Sequence, residues 1–151
     1  MSIRIFTFLL SLLSSYPSWS IICYFTLAKD SCWTNYNVSV DIVDSKSSKV
    51  LTTVAVPKGQ QWTRQTFACE PEQKLMYIAR FTPVFWQEDA GKTYPALNYW
   101  SLPNKINPGD TAWNVSVCYP SDFSLVPYPP DAKGNCKCDF THIPIIEPGK
   151  T

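Results

Sequence analysis

The chain has 151 residues, and its 13 basic and 12 acidic side chains form no cationic run. That balance excludes nucleic acid, which calls for clustered Lys and Arg to displace counterions, and it excludes electrostatic docking on anionic lipid. Six cysteines, 13 prolines and only five glycines frame the rest: sulfur available for cross-links, little regular helix, and few tight backbone cradles.

At the amino terminus, Arg4 precedes the apolar residues 5–13. Ser14, Ser15, Pro17, Ser18 and Ser20 follow, around Trp19. This order of basic, apolar and small-residue regions predicts a secretory signal over residues 1–20, cleaved after Ser20. A retained anchor is the competing reading, because no charge falls between Arg4 and Lys29 and a span needs about 20 apolar residues. The serines and Pro17 weigh against it. All six cysteines lie beyond Ser20, and an even count in an exported chain predicts disulfides. Ile22 is not the small residue that an acylated Cys23 would need before it. The expected location is secreted or periplasmic, without a membrane span after cleavage. About 130 residues then remain, enough for one domain with a core of its own.

Residues 21–27, IICYFTL, are a short apolar run with strand chemistry, either buried or along an edge, and Lys29, Asp30 and Ser31 turn it. Residues 37–44 alternate, with Val38, Val40 and Ile42 opposite Ser39, Asp41 and Val43, which is the period of a half-buried strand. Polar residues 44–48 connect this strand to the β-rich run 49–56 as a hairpin. Residues 62–86 hold two aromatic and β-branched runs around Glu70, Pro71, Glu72 and Gln73, and so predict a second hairpin at the centre of a sheet. In its longer arm Leu75, Tyr77, Ala79 and Phe81 share one face, and Met76, Ile78, Arg80 and Thr82 the other, until Pro83 withdraws a ladder donor. Residues 87–93 read as an exposed loop, and 94–102, interrupted by Pro95, as an edge strand or ordered loop. After the turn at 107–110, residues 112–119 form the last strand, with Trp113, Val115, Val117 and Tyr119 on one face.

Prolines at 120, 127, 129, 130, 144 and 148 forbid a central strand in the tail. Residues 121–151 are therefore expected to wrap the domain formed by 21–120 as extended chain. Cys136 and Cys138 would fasten it at two separate points, since cysteines one residue apart rarely bond each other. The expected pairing joins Cys69 to Cys118 and sends the two tail cysteines to Cys23 and Cys32. The fold class is all-β: a single antiparallel β-sandwich, with an immunoglobulin-like form of it in view and a small barrel as the alternative. In gross plan, a leader followed by a six-cysteine sandwich, the chain resembles the secreted lipid-carrying sandwiches. That resemblance implies a cavity between the sheets.

Catalytic patterns are few. His142 is the only histidine, which removes the usual Ser-His-Asp or Cys-His machinery, and a surface position in the tail is its plainer reading. Residues 136–142 would offer copper or zinc soft ligands only with free sulfurs, and an exported chain commits these to disulfides first. No cofactor or metal is expected. The pairs Asp41/Asp44, Glu70/Glu72 and Glu88/Asp89 are of the type used by glycosidases and calcium sites, yet they fall in turns and on a strand rim where acids are ordinary surface. Nucleophile elbow, calcium loop and phosphate-cradling glycines are missing from the sequence.

Two tripeptides, Asn37-Val38-Ser39 and Asn114-Val115-Ser116, match the N-glycosylation acceptor, each with its Asn on an outward face. The strongest hint of binding is aromatic. Phe85, Trp86, Tyr94, Tyr99 and Trp100 flank one polar loop and form either part of the core or a platform for a sugar ring, an apolar ligand or a partner protein. Trp33, Trp62 and Trp113 belong to the core or to strand ends. The expected function is a non-enzymatic binding or assembly module of the cell envelope or extracellular space, acting on another envelope or extracellular protein through a sheet edge or the aromatic loop. A small apolar-ligand carrier and a hydrolase with an unusual carboxylate pair are the alternatives.

Overall fold

The computed structural model describes residues 19–146. Most of the expected signal, residues 1–18, and the end of the tail, residues 147–151, lie outside the described residues. Alternating apolar positions build eight strands: β1 Ile21–Lys29, β2 Asn37–Asp44, β3 Val50–Val56, β4 Trp62–Cys69, β5 Lys74–Thr82, β6 Tyr94–Pro95, β7 Trp100–Ser101 and β8 Ala112–Tyr119. They make two packed sheets, ordered β4-β1-β8 and β3-β2-β5-β6, with β7 paired to β5 farther along the same edge as β6. The expected all-β sandwich is the observed fold. Its strand order is not the ABED and CFG pairing of a constant-type immunoglobulin domain. No helix of the described residues is long and apolar enough to cross a membrane.

The β2–β3 hairpin forms as the alternation predicts, Val38 opposite Val56 and Val40 opposite Val54, all four buried. The second expected hairpin does not form. Strand β4 pairs with β1 in one sheet and β5 with β2 in the other, so residues 70–73 are an arch that crosses the sandwich. Gln73 holds that arch: its amide oxygen accepts the Glu70 N–H at 2.8 Å, and its amide nitrogen donates to Asp44 at 2.8 Å. Side-chain period told correctly which residues of β5 face inward, because Leu75, Tyr77, Ala79 and Phe81 are all buried. Period carries no information about which neighbour a strand takes.

A second departure from a wholly antiparallel sandwich is that β1 and β8 run parallel, Phe25 opposite Val115 and Leu27 opposite Val117. Strand β1 is thereby central. Its inward residues Cys23, Phe25 and Leu27 are fully buried, and Thr26 and Ala28 on its other face are covered as well, as expected for a near-continuous apolar strand. Phe25 meets Tyr77 of the opposite sheet edge to face at 4.8 Å, a pair of the kind that adds about 0.5–1.5 kcal/mol beyond its burial.

All six cysteines are paired, and the pairing corrects the expected one. Cys23 bonds Cys69 across β1 and β4, Cys32 bonds Cys136, and Cys118 bonds Cys138. Cys69 does not reach Cys118, because Cys69 points into the core from β4 whereas Cys118 lies on the outer face of β8. The tail is fastened at two separate points as expected, but these are Cys32 and Cys118 rather than Cys23 and Cys32. It crosses the outer face of the β4-β1-β8 sheet, where Arg64 donates to Thr26 Oγ1 and to the Pro144 carbonyl, both at 2.7 Å.

Candidate functional site

The five aromatic candidates do not share one surface. Phe85 is half-buried and packs on Trp33, Tyr36 and Phe81 at 5.7, 5.2 and 4.9 Å. Tyr94 is buried and stacks on Phe81 at 5.8 Å. Trp86 is exposed and meets Phe85 edge-on. Tyr99 and Trp100 lie elsewhere: Tyr94 sits opposite Ala79 and Trp100 opposite Leu75, about 13 Å apart along β5. Two of the five thus belong to the core, as do Trp33 and, in part, Trp113, whereas Trp62 opens β4 beneath Arg64.

Tyr99 and Trp100 instead wall a cavity of about 190 Å³ on one flank of the sandwich, between β8 and the edge segment 94–101. Its floor is Val115 and Val117 from the inner face of β8 and Tyr77 from the inner face of β5. Asn98 and Asp122 stand exposed at its rim. The flank is open because β8 has β1 on one side and no strand on the other, while the opposite edge belongs to the very short strands β6 and β7. A single bridge, Ala96 to Phe123, spans the gap.

Tyr77 and Asp122 both contribute to this lining. The hydroxyl of Tyr77 is buried without a hydrogen-bond partner, and burial together with the Asp122 charge pushes its pKa well above the ordinary tyrosine value. Asp122 is fixed by its own turn, its Oδ2 accepting the Cys118 N–H at 2.6 Å and its N–H donating to the Cys118 carbonyl at 3.0 Å. Lys74 holds its ammonium over the Tyr99 ring at 4.3 Å. The cavity lining itself contains no Lys, Arg or His.

At one end of the sandwich, Lys29 ends β1 pointing inward and is 2 % exposed. Its ammonium donates to the carbonyls of Tyr36 at 2.7 Å and Pro57 at 2.9 Å, and burial lowers its pKa to about 8. The adjacent Asp30 is also buried; burial raises its pKa, against the N–H groups of Cys32 and Trp33. Above them Trp33 is boxed by Phe81 and Tyr119, both at 4.8 Å. Tail residues seal this end, the Tyr36 hydroxyl donating to Asp131 at 2.8 Å.

The remaining candidates are placed as follows. Asp30, Cys32 and Cys136 form the kind of cluster that can hold a metal ion, but both sulfurs are joined to each other and offer no thiolate. His142 is exposed, 4.0 Å from Asp139. Asp41 pairs with Arg80 and accepts from Thr53, Asp44 caps its turn, Glu70 and Glu72 sit in the arch, and Glu88 and Asp89 form a short 3-10 turn closed by Lys92. Asn37 and Asn114 are both exposed.

Reading by sequence missed Lys29 and Asp30 as buried groups, taking them only as a turn, and it missed Tyr77 and Asp122 as neighbours in one cavity lining. Only the run Pro120-Ser121-Asp122 carried a signal, since an acid just after a strand often bonds back to the backbone. Comparison with family models, curated proteins and solved structures found no match for this chain.

Proposed function

We propose that this is an exported, non-enzymatic binding module that engages its partner through the open flank between β8 and residues 94–101. One observation carries the reading: this flank combines a sheet edge that no strand of the described residues pairs with and a cavity walled by Tyr99 and Trp100 over an apolar floor of Val115 and Val117. Binding rather than catalysis is supported by the surroundings, because the acidic pairs are committed to turns and ion pairs and the sulfurs to bridges. The three disulfides fit an oxidising compartment, and the leader-like residues 1–20 supply the route.

The test is site-specific photo-cross-linking in the native source. A photoreactive residue replacing Asn98 is expected to yield a defined adduct, and one replacing Val50 on the opposite flank none. Equal yields from both positions would remove the reading.

A second reading, addition of a partner's strand to β8, is favoured by the composition of that edge. Residues 112–119, AWNVSVCY, carry no charge, whereas natural edges usually carry charges or proline against unwanted pairing. The Cys118 N–H points outward to Asp122, so the Ser116 N–H, two residues earlier, points the same way. Ser116→Pro should abolish the adduct if a strand is added and leave it intact if only the cavity binds.

A further inference from the structure

The free edge of β8 also defines which strand can close it, an inference that rests on strand addition at the open flank. Main-chain directions alternate along a strand, so the N–H and C=O groups of Trp113, Val115, Val117 and Tyr119 turn towards β1, and those of Ala112, Asn114, Ser116 and Cys118 turn outward. The Tyr119 carbonyl fixes that phase, since it accepts the Asp30 N–H at the end of β1 at 2.9 Å. At Cys118 both outward groups are already taken, the N–H by Asp122 Oδ2 at 2.6 Å and the carbonyl by the Asp122 N–H at 3.0 Å. The usable edge is therefore Ala112, Asn114 and Ser116, beside which no strand of the described residues lies.

That short edge is its own complement. In an antiparallel pair, facing residues whose main-chain groups point at each other exchange both N–H···O=C bonds. A two-fold axis at Asn114 sets Asn114 against Asn114, Ala112 against Ser116 and Ser116 against Ala112, so every free group of one copy meets a free group of the other. A slipped register would waste one of these residues on the capped Cys118 or on the turn before β8. On the inner face, the closer-spaced pair beside the axis places Trp113 of one copy opposite Val115 of the other. The second copy's Trp113 thus comes to the open side of the cavity floored by Val115 and Val117. Charge sets no obstacle: residues 112–119 carry none and the whole chain is formally +1, whereas a charged edge would meet its own sign across the axis. Leu97, whose N–H is bonded to the Asp122 carbonyl, and Tyr99 are exposed on this flank and gain cover. The other flank offers no such edge, because β3 and β4 come together there.

We infer that the partner of the open flank is a second copy of this chain, joined β8 to antiparallel β8 about a two-fold axis at Asn114. The β4-β1-β8 sheets of the two copies then run on through the seam as one. The assembly is a closed pair and not an open fibre, because the same edge serves both copies and is used up in pairing. A seam this short makes the dimer reversible rather than obligate.

The experiment is analytical sedimentation of the intact disulfide-bonded protein from about 1 μM to about 1 mM. A monomer–dimer equilibrium without larger species is expected, and the Asn98 photo-adduct should have twice the mass of the chain. Ser116→Pro removes an outward donor from both copies and should weaken the dimer about tenfold or more. Asn114→Lys and Asn114→Asp each set like charges opposite one another at the axis and should weaken it about fivefold. An equimolar mixture of the Lys and Asp variants should restore pairing as a mixed dimer, a rescue that misfolded variants could not give. Monomer at every concentration, open-ended larger species, a dimer that all three variants leave unchanged, or a charge mixture that stays monomeric would each overturn self-pairing. If the Asn98 cross-link joins a different protein in that event, the flank remains the binding surface and only the identity of the partner fails. If Asn98 yields no adduct with any protein, the proposed function fails with it.

Discussion

The sealed end around Lys29 and the open flank around Tyr77 are built from the same materials and differ in what finishes them. Both bury polar groups among aromatic rings. At the sealed end the Lys29 ammonium has two backbone carbonyls, the tail closes over the site, and the Cys32–Cys136 bridge locks it. Trp33 Nε1 and the Tyr119 hydroxyl are left unpaired there, their rings packed edge to face at 4.8 Å. At the open flank Tyr99 and Trp100 wall a cavity with exposed Asn98 and Asp122 at its rim. The two regions should therefore respond in opposite ways to substitution: the first in stability, the second in binding.

The largest effect should come from Trp33→Ala, which empties the centre of the sealed end and is expected to lower unfolding stability by up to about 5 kcal/mol in urea melts. Next is removal of the Cys32–Cys136 bridge by paired serine substitution. The bridged residues are 104 positions apart, and although the other two bridges shorten the loop it closes, the loss should be about 4 kcal/mol by chain entropy. Neither change should alter ligand affinity at the flank by more than about twofold where the protein is still folded.

Proton linkage sharpens the contrast further. Lys29 titrates near 8 in the folded protein rather than at 10.5, so above pH 8 the unfolded chain binds the extra proton and stability rises with pH. Tyr77 and Tyr119 have raised values and stay protonated when folded, so ionisation of these tyrosines in the unfolded chain reverses the trend from about pH 10. A rise of roughly 2–3 kcal/mol between pH 8 and 10 is expected, followed by a fall, and Lys29→Met should flatten the rise. The smallest expected effect is the most discriminating. Tyr119→Phe and Tyr77→Phe each delete an unpaired buried hydroxyl and should leave stability unchanged or raise it by up to about 1 kcal/mol. Loss of binding in Tyr119→Phe would erase the distinction between the two regions.

How much of this was legible in the sequence follows the range of the forces involved. Period-two alternation is local, and it placed β2, β5 and β8 with the correct faces inward. Proline content, equally local, marked the tail as strand-poor. Partner choice is not local: the arch at 70–73 looks like a hairpin turn in sequence, and nothing in IICYFTL announces that its neighbours are β4 and β8. The cysteine pairing failed for the same reason, since it depends on which face of which sheet each sulfur occupies. Of the site, only the aromatics Tyr99 and Trp100 were visible beforehand. Tyr77 looked like a core residue, which it is, and its second role depends on a gap whose far wall comes from β8 and a turn beyond it. Burial of Lys29 carried no signal, because a buried lysine is rare and its carbonyl partners lie in other segments of the chain.

The parallel seam between β1 and β8 bears on the order in which the molecule can assemble. Strand β1 has Ala112 through Tyr119 as its neighbours, so during synthesis one side of it stays open until about ninety further residues have been added. Contacts this distant along the chain form slowly, so closing this seam belongs to the late steps of folding.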